Sequence, residues 1–162
     1  MKVCSAILVA EDEADDAFFL KRALVEAGVI APIRFVRNGR EALDYLQGKP
    51  PYDDRVANPF PTLLILDLHM PVLSGFEVLD WRQHQPKLRR IPAVVFSALE
   101  GEPNISRAYG LGANHYLSKT HDPSGWPSLL KPLVEEYGLV VNPAVLKPGI
   151  GPQPGPNGVK SC

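Results

Sequence analysis

The sequence predicts an α/β domain: a five-stranded parallel sheet with helices on both faces. Short apolar runs such as "AILVA" and "LLIL" are too brief for helices and read as strands buried on both faces. They alternate along the chain with segments whose apolar residues recur at helical spacing. The connections are long enough for crossovers, and crossovers in a parallel sheet are right-handed.

Each element follows in order. "AILVA" (6–10) is the first strand. The segment 14–28, "ADDAFFLKRALVEAG", puts Ala17, Leu20, Leu24 and Ala27 on one helical face, and Gly28 is placed to end it. "IRFV" (33–36) is the second strand and "GREALDYLQG" (39–48) the second helix, again stopped by glycine. Asn38-Gly39 before it is a turn signal. Residues 49–61 hold four prolines and are expected to form a long loop. "LLIL" (63–66) is the third strand, and "SGFEVLDWRQ" (74–83) opens a helix with the capping-box spacing Ser74 to Glu77. "AVVF" (93–96) is the fourth strand, a weaker helix covers about 103–111, and "HYL" (115–117) is the fifth strand. The last helix, 125–138, contains Pro132, so a kink or a break is expected there. Trp81 and Trp126 read as half-buried helix aromatics.

At 162 residues the chain is expected to form one domain with a single sizeable core. Its 45% hydrophobic and 22% charged residues are ordinary for a globular chain, and a net charge of -1 advertises no nucleic-acid or anionic-membrane surface. Cys4 and Cys162 suggest no disulfide framework, which fits a reducing cytoplasm. No apolar run approaches the ~20 residues of a membrane span. "VCSAILVA" after Lys2 faintly resembles a signal peptide, but "EDEADD" cuts it off. From Pro143 to Gly158 nine of sixteen residues are proline or glycine. Such a segment buries too little to offset its ordering entropy, so residues 1–138 are expected to be the domain and 139–162 a disordered tail.

In a parallel sheet of this kind, functional groups collect at the carboxyl ends of the strands. Strand one ends in Glu11 and Asp12, strand three in Asp67, strand four in Ser97 and strand five in Lys119. Carboxylates converging on one crevice repel each other and resist joint ionisation. Magnesium, a hard cation that prefers oxygen ligands, removes that conflict. With the Lys119 ammonium and the Ser97 hydroxyl beside it, the set suits a phosphoryl group, which a carboxylate can attack. Taken singly, these residues have ordinary readings as helix-terminal acids, a loop serine and a solvated cation. His69, His84, His115 and His121 share no metal-ligand spacing.

The motifs "LVAEDEADD", "LLILDLHMPVLSGFEVL", "VVFSA" and "HYLSK" resemble the receiver domain of bacterial two-component response regulators, over roughly residues 5–137. The resemblance implies a doubly wound, flavodoxin-like sheet of order 2-1-3-4-5. It implies that Glu11 and Asp12 bind Mg2+ together with Asp67 and the backbone carbonyl of His69. It makes Asp67 the phosphoacceptor, Lys119 and Ser97 its catalytic partners, and Ser97 with Tyr116 the conformational switch. The implied partner is a sensor or hybrid histidine kinase. The long loop and the lack of an output domain resemble small stand-alone receivers served by phytochrome-type kinases. Such a protein is cytoplasmic, is not an enzyme in the usual sense, and signals through contacts with a downstream protein; a homodimer stays open.

The chain departs from the family's pattern in three places. Thr120 follows Lys119 where many receivers have a cis proline, and a cis bond there would cost ~2.5–4 kcal/mol. Leu99 is apolar where polar residues often tune dephosphorylation. A break at Pro132 would alter a surface the family often uses for docking or dimerisation. Three other classes stand beside this reading. A flavodoxin-type flavin protein needs a phosphate loop that "EDEADD" would repel. An aspartate-nucleophile phosphatase needs an acid where His69 stands. A degenerate receiver that works without phosphorylation is the closest alternative.

Overall fold

The computed structural model describes residues 5–140. Its elements are β1 Ile7–Ala10, α1 Ala14–Glu26, β2 Ile33–Val36, α2 Gly39–Gln47, β3 Leu63–Leu66 and α3 Gly75–Gln83. They continue with β4 Ala93–Ser97, α4 Glu102–Gly110, β5 His115–Ser118, a 3₁₀ turn Pro123–Gly125 and α5 Trp126–Glu136. All strands are parallel, in the order β2-β1-β3-β4-β5. The fold is thus the doubly wound one the sequence predicts.

Strand geometry explains the two cores. Successive side chains point to opposite faces, so a strand covered on both sides is apolar throughout. Ile7, Val9, Leu63, Ile65, Val94 and Phe96 pack beneath α1 and α5. Leu8, Ala10, Leu64, Leu66, Ala93 and Val95 pack beneath α2, α3 and α4. Each such side chain taken fully from water contributes about 1.5–3 kcal/mol. The α1 face is less regular. Leu20, Leu24 and Ala27 are buried with Ala23, whereas Phe18 and Phe19 face solvent as an edge-to-face pair.

Local signals set the helix ends. Asn38 caps α2, its side chain accepting from Glu41 N, and Gly48 closes it in the left-handed conformation. Ser74 and Glu77 form the expected capping box on α3. Close approach explains Gly75. A Cβ there would stand 2.3 Å from the Asp67 carbonyl oxygen and 2.8 Å from Leu68 Cα, so only glycine lets α3 start against the end of β3.

Three expectations are corrected. Helix α5 runs unbroken from Trp126 to Glu136 with Pro132 inside it, because its buried face (Trp126, Leu130, Leu133, Val134) holds it on the sheet. Trp126 is buried rather than half-buried, since its indole N–H has a partner in Thr120. The packed chain extends beyond Gly138: Leu139 is buried, its carbonyl accepts from Ile30 N, and Val140 bridges Val29. The tail expectation for 141–162, and Cys4 and Cys162, lie outside the described residues. No helix among the described residues is long and apolar enough to cross a membrane.

Candidate functional site

The site is built by carrying the sheet one residue past its strands. Glu11 N donates to Val36 O at 3.0 Å, and Asp67 N donates to Ala10 O at 3.0 Å. These bonds set the two carboxylates side by side at the carboxyl edge. Lys119 N donates to Ser97 O at 2.9 Å, which does the same for β5 and β4. Asp12, Asp67, Ser97 and Lys119, from four strand ends, therefore line one cleft of about 320 Å³ together with Asp16 and His69. Glu11 is held beside it by the Lys119 ammonium.

The acidic groups are tightly grouped. Carboxylate oxygens of Glu11, Asp12 and Asp67 lie within 4.8 Å of one another. Glu11 and Asp67 are buried and Asp12 is half-buried. Asp12 Oδ1 is buried and has no hydrogen-bond partner among the described residues. A buried carboxylate oxygen left without a donor is costly. Three hard oxygens around a common point, one of them orphaned, fit a divalent cation such as Mg2+. His69 is exposed at the mouth, and its N–H donates to Asp67 Oδ1 at 3.3 Å.

One cation faces these acids. The Lys119 ammonium donates to Glu11 Oε2 at 2.5 Å, Asp16 Oδ2 at 2.9 Å and Asp67 Oδ2 at 3.1 Å. Burial alone would pull this ammonium down, but its bonds to Asp16 and Glu11 and the Asp67 charge outweigh that and raise it above the ordinary lysine value. Glu11 moves up as well, from 4.5 to about 7, chiefly because burial penalises its charge. The Lys119 bond opposes that rise and the Asp67 charge adds to it.

Two more predicted residues lie on the strands beyond. Ser97 is fully buried, and its Oγ accepts from Leu99 N at 3.2 Å. Tyr116 is half-buried on β5, and its hydroxyl donates to Leu99 O at 2.6 Å. Ser97 and Tyr116 are thus joined through one residue of the loop after β4. The Lys119–Thr120 bond is trans. Sequence reasoning missed Asp16, the third acceptor of Lys119. Its signal was available, since an acid in the first turn of α1 stands directly above the Glu11-Asp12 pair.

Comparison with known proteins agrees with this geometry. Residues 7–130 match the response regulator receiver domain. The chain is 34% identical over 113 residues to the probable methanogenesis regulatory protein FilR2 of Methanothrix harundinacea, covering 70% of each chain. It is 32% identical over 116 residues to response regulator Rcp1 of Synechocystis sp., covering 72% of this chain and 77% of that protein. Among solved structures, the phosphorylated cyanobacterial phytochrome response regulator RcpA superposes with a TM-score of 0.76 at 31% identity, over 85% of this chain and 96% of that one. Sheet order, the acid-lined cleft at the carboxyl edge and these similarities converge: the chain belongs to the response regulator receiver domain family of two-component signalling.

Proposed function

We propose that this chain accepts a phosphoryl group on Asp67 from a histidine kinase and passes the signal on through protein contacts. The observation that carries the reading is the environment of Asp67: two further carboxylates, an orphaned buried oxygen on Asp12, and the Lys119 ammonium. Glu11, Asp12, Asp67 and the His69 carbonyl would hold Mg2+. When bound, the ion neutralises carboxylate and phosphoryl oxygens that would otherwise repel each other.

The remaining chemistry belongs to the side chains. An Asp67 carboxylate oxygen forms the new bond to phosphorus as the phosphorus–nitrogen bond of the donor phosphohistidine breaks. The imidazole leaves with the electron pair. Lys119 pairs with a phosphoryl oxygen, and the Ser97 hydroxyl donates to another. As the Ser97 side chain is drawn toward the phosphoryl group it moves away from Leu99 N, and the Leu99 carbonyl that holds the Tyr116 hydroxyl shifts with it. Phosphorylation therefore reaches the surface of β5 as a change in the population of Tyr116 rotamers.

Similarity to the phytochrome response regulator RcpA supports a phytochrome-type or hybrid kinase as donor. On this reading the chain works in the cytoplasm and its target is a downstream protein rather than nucleic acid or membrane. The only catalysis assigned to the chain is of its own phosphorylation and dephosphorylation. The test uses acetyl phosphate as a small donor. Wild type should gain a single phosphoryl mass increment with Mg2+ and none in excess chelator. Asp67→Asn should gain none, because an amide is a poor nucleophile. Label at full level in Asp67→Asn would remove the assignment of the acceptor. An unlabelled wild type would favour a receiver that acts without phosphorylation.

A further inference from the structure

The Lys119 ammonium is positioned by more than its carboxylates, because the chain that follows it is also fastened. Thr120 leads out of the sheet into the 3₁₀ turn and α5. Trp126, the first residue of α5, is 2% exposed. Its indole Nε1–H donates to both Thr120 O at 3.3 Å and Thr120 Oγ1 at 3.1 Å. Thr120 Oγ1 in turn donates to Asp122 O at 2.9 Å, and the Asp122 carboxylate accepts from Ser124 N at 2.9 Å. The turn between β5 and α5 is thereby closed on itself, with the indole as its buried anchor.

The same ring reaches the neighbouring strand. Trp126 stands edge-on to Phe96, with centroids 4.9 Å apart and planes at 89°. Phe96 immediately precedes Ser97, and the Lys119 ammonium lies 5.8 Å from the Phe96 ring centroid. One side chain of α5 therefore touches the residue after Lys119 and the residue before Ser97. A buried indole N–H left without an acceptor is costly, so the ring and Thr120 must keep their mutual position.

We propose that Trp126 is a positioning residue: its N–H bonds to Thr120 set where the Lys119 ammonium stands over Asp67, and its ring fixes the approach of Phe96–Ser97. The kinetic consequence rests on the reading of Asp67 as phosphoacceptor; the structural consequence does not.

The experiment separates the two. The background is Trp81→Phe, which leaves Trp126 as the single tryptophan of the chain's two. Three quantities are measured: the Lys119 Nζ and Trp126 Nε1 resonances by NMR, the Mg2+ dissociation constant, and the acetyl phosphate labelling rate at saturating Mg2+. Trp126→Phe keeps an aromatic ring against Phe96 but removes the donor. It should shift the Lys119 Nζ resonance and slow labelling roughly three- to tenfold, the worth of one to two neutral hydrogen bonds, with Mg2+ affinity unchanged. Thr120→Val, on an exposed residue, removes one of the two acceptors and should give a smaller change of the same kind. Thr120→Ser keeps the hydroxyl and should retain the wild-type Lys119 resonance. If Trp126→Phe folds poorly, Thr120→Val decides through the indole. Because this variant also loses the Thr120–Asp122 bond, the Lys119 Nζ and Trp126 Nε1 resonances must move together, and a Lys119 shift with an unmoved Nε1 overturns the proposal. A lowered melting temperature with an unmoved Lys119 resonance overturns the proposal, since the tryptophan is then only core. A wild type that cannot be labelled sinks the phosphoacceptor reading, while the Lys119 resonance still decides the clamp.

Discussion

Two buried cations stand at opposite ends of the same sheet, and their partners differ in kind. Arg82, at the end of α3, is 3% exposed and bonds only to neutral carbonyls. Its Nε donates to Ile91 O at 3.0 Å, and its terminal nitrogens reach Ile91 O, Arg89 O and Gly112 O. No carboxylate pairs with it among the described residues, and burial lowers its guanidinium from the ordinary value. It ties α3 to the entries of β4 and β5. Lys119, at the exits of those strands, bonds three carboxylates. A planar fork satisfies several fixed acceptors and makes a tie, whereas an ammonium among surplus acids leaves charge that a second cation can take up. The entry end is electrically closed, and the exit end is built to receive something.

The largest expected effect breaks this comparison directly. Arg82→Ala strands its carbonyl partners and should cost about 3–4 kcal/mol, with a fall in melting temperature on the order of 10 °C. Saturating Mg2+ should not restore it. Lys119→Ala should also lower the melting temperature in metal-free buffer, but there Mg2+ should recover much of the loss, since one cation can replace another among acids. Thermal scans of both variants with and without Mg2+ decide the matter. Equal recovery in both would show that the two ends do not differ in the way described.

Next in size is Gly75→Ala. A methyl group 2.3 Å from the Asp67 carbonyl oxygen forces β3 and α3 apart. Overpacking of this kind costs about 1–3 kcal/mol. Unlike Arg82→Ala, it should also slow acetyl phosphate labelling of the protein that remains folded, because the displaced backbone carries Asp67. Labelling at the wild-type rate in folded Gly75→Ala would show that the site tolerates the shift.

These contrasts also mark what could be read in the sequence. β1, β3 and β4 were legible because each is a short, buried, largely apolar run flanked by polar or turn residues, and the edge strands β2 and β5 by their place in the alternation with helices. Glu11, Asp12, Asp67, Ser97 and Lys119 were legible because strand ends are where such a sheet places its chemistry, and the structure brings them together. Arg82 was not, because an arginine in an amphipathic helix reads as solvated unless its acceptors, here on distant loops, are known. Asp16 was hidden by its acidic neighbours, and Trp126 by a partner, Thr120, that only the turn brings within reach. The unbroken α5 has a similar cause: a proline costs a helix its local hydrogen bond, but tertiary packing of the apolar face decides whether the helix survives.

The exit end should also respond to pH where the entry end does not. Burial raises Glu11 from 4.5 to about 7, so between those pH values the metal-free protein holds a proton there that the unfolded chain has released. That contribution to stability is present in full below about 4.5 and is lost as pH rises through about 7. Magnesium must displace the same proton. Its apparent affinity should therefore weaken by up to about tenfold per pH unit below about 7 and level off above it. Titration calorimetry at several pH values measures this, and Glu11→Gln should flatten the profile. A flat wild-type profile would show that Glu11 is already ionised in the metal-free protein.

The smallest effect concerns strain at the exit end. Val72, in the loop between β3 and α3, has φ of 68° and is 74% exposed. A β-branched residue rarely adopts this left-handed conformation, which costs an L-residue roughly 1–2 kcal/mol. Its exposed side chain has little packing to set against that cost. Val72→Gly removes the clash but adds about 0.5–1 kcal/mol of unfolded-state entropy. The net change should be a stabilisation of ~0.5–1 kcal/mol, seen as a shift of a few degrees at most in melting temperature. Because Val72 is not itself among the proposed ligands and stands three residues beyond His69, Mg2+ affinity should stay as in wild type. A destabilised Val72→Gly would mean that the isopropyl group holds the loop in place and that the strain is offset by packing at this end of the sheet.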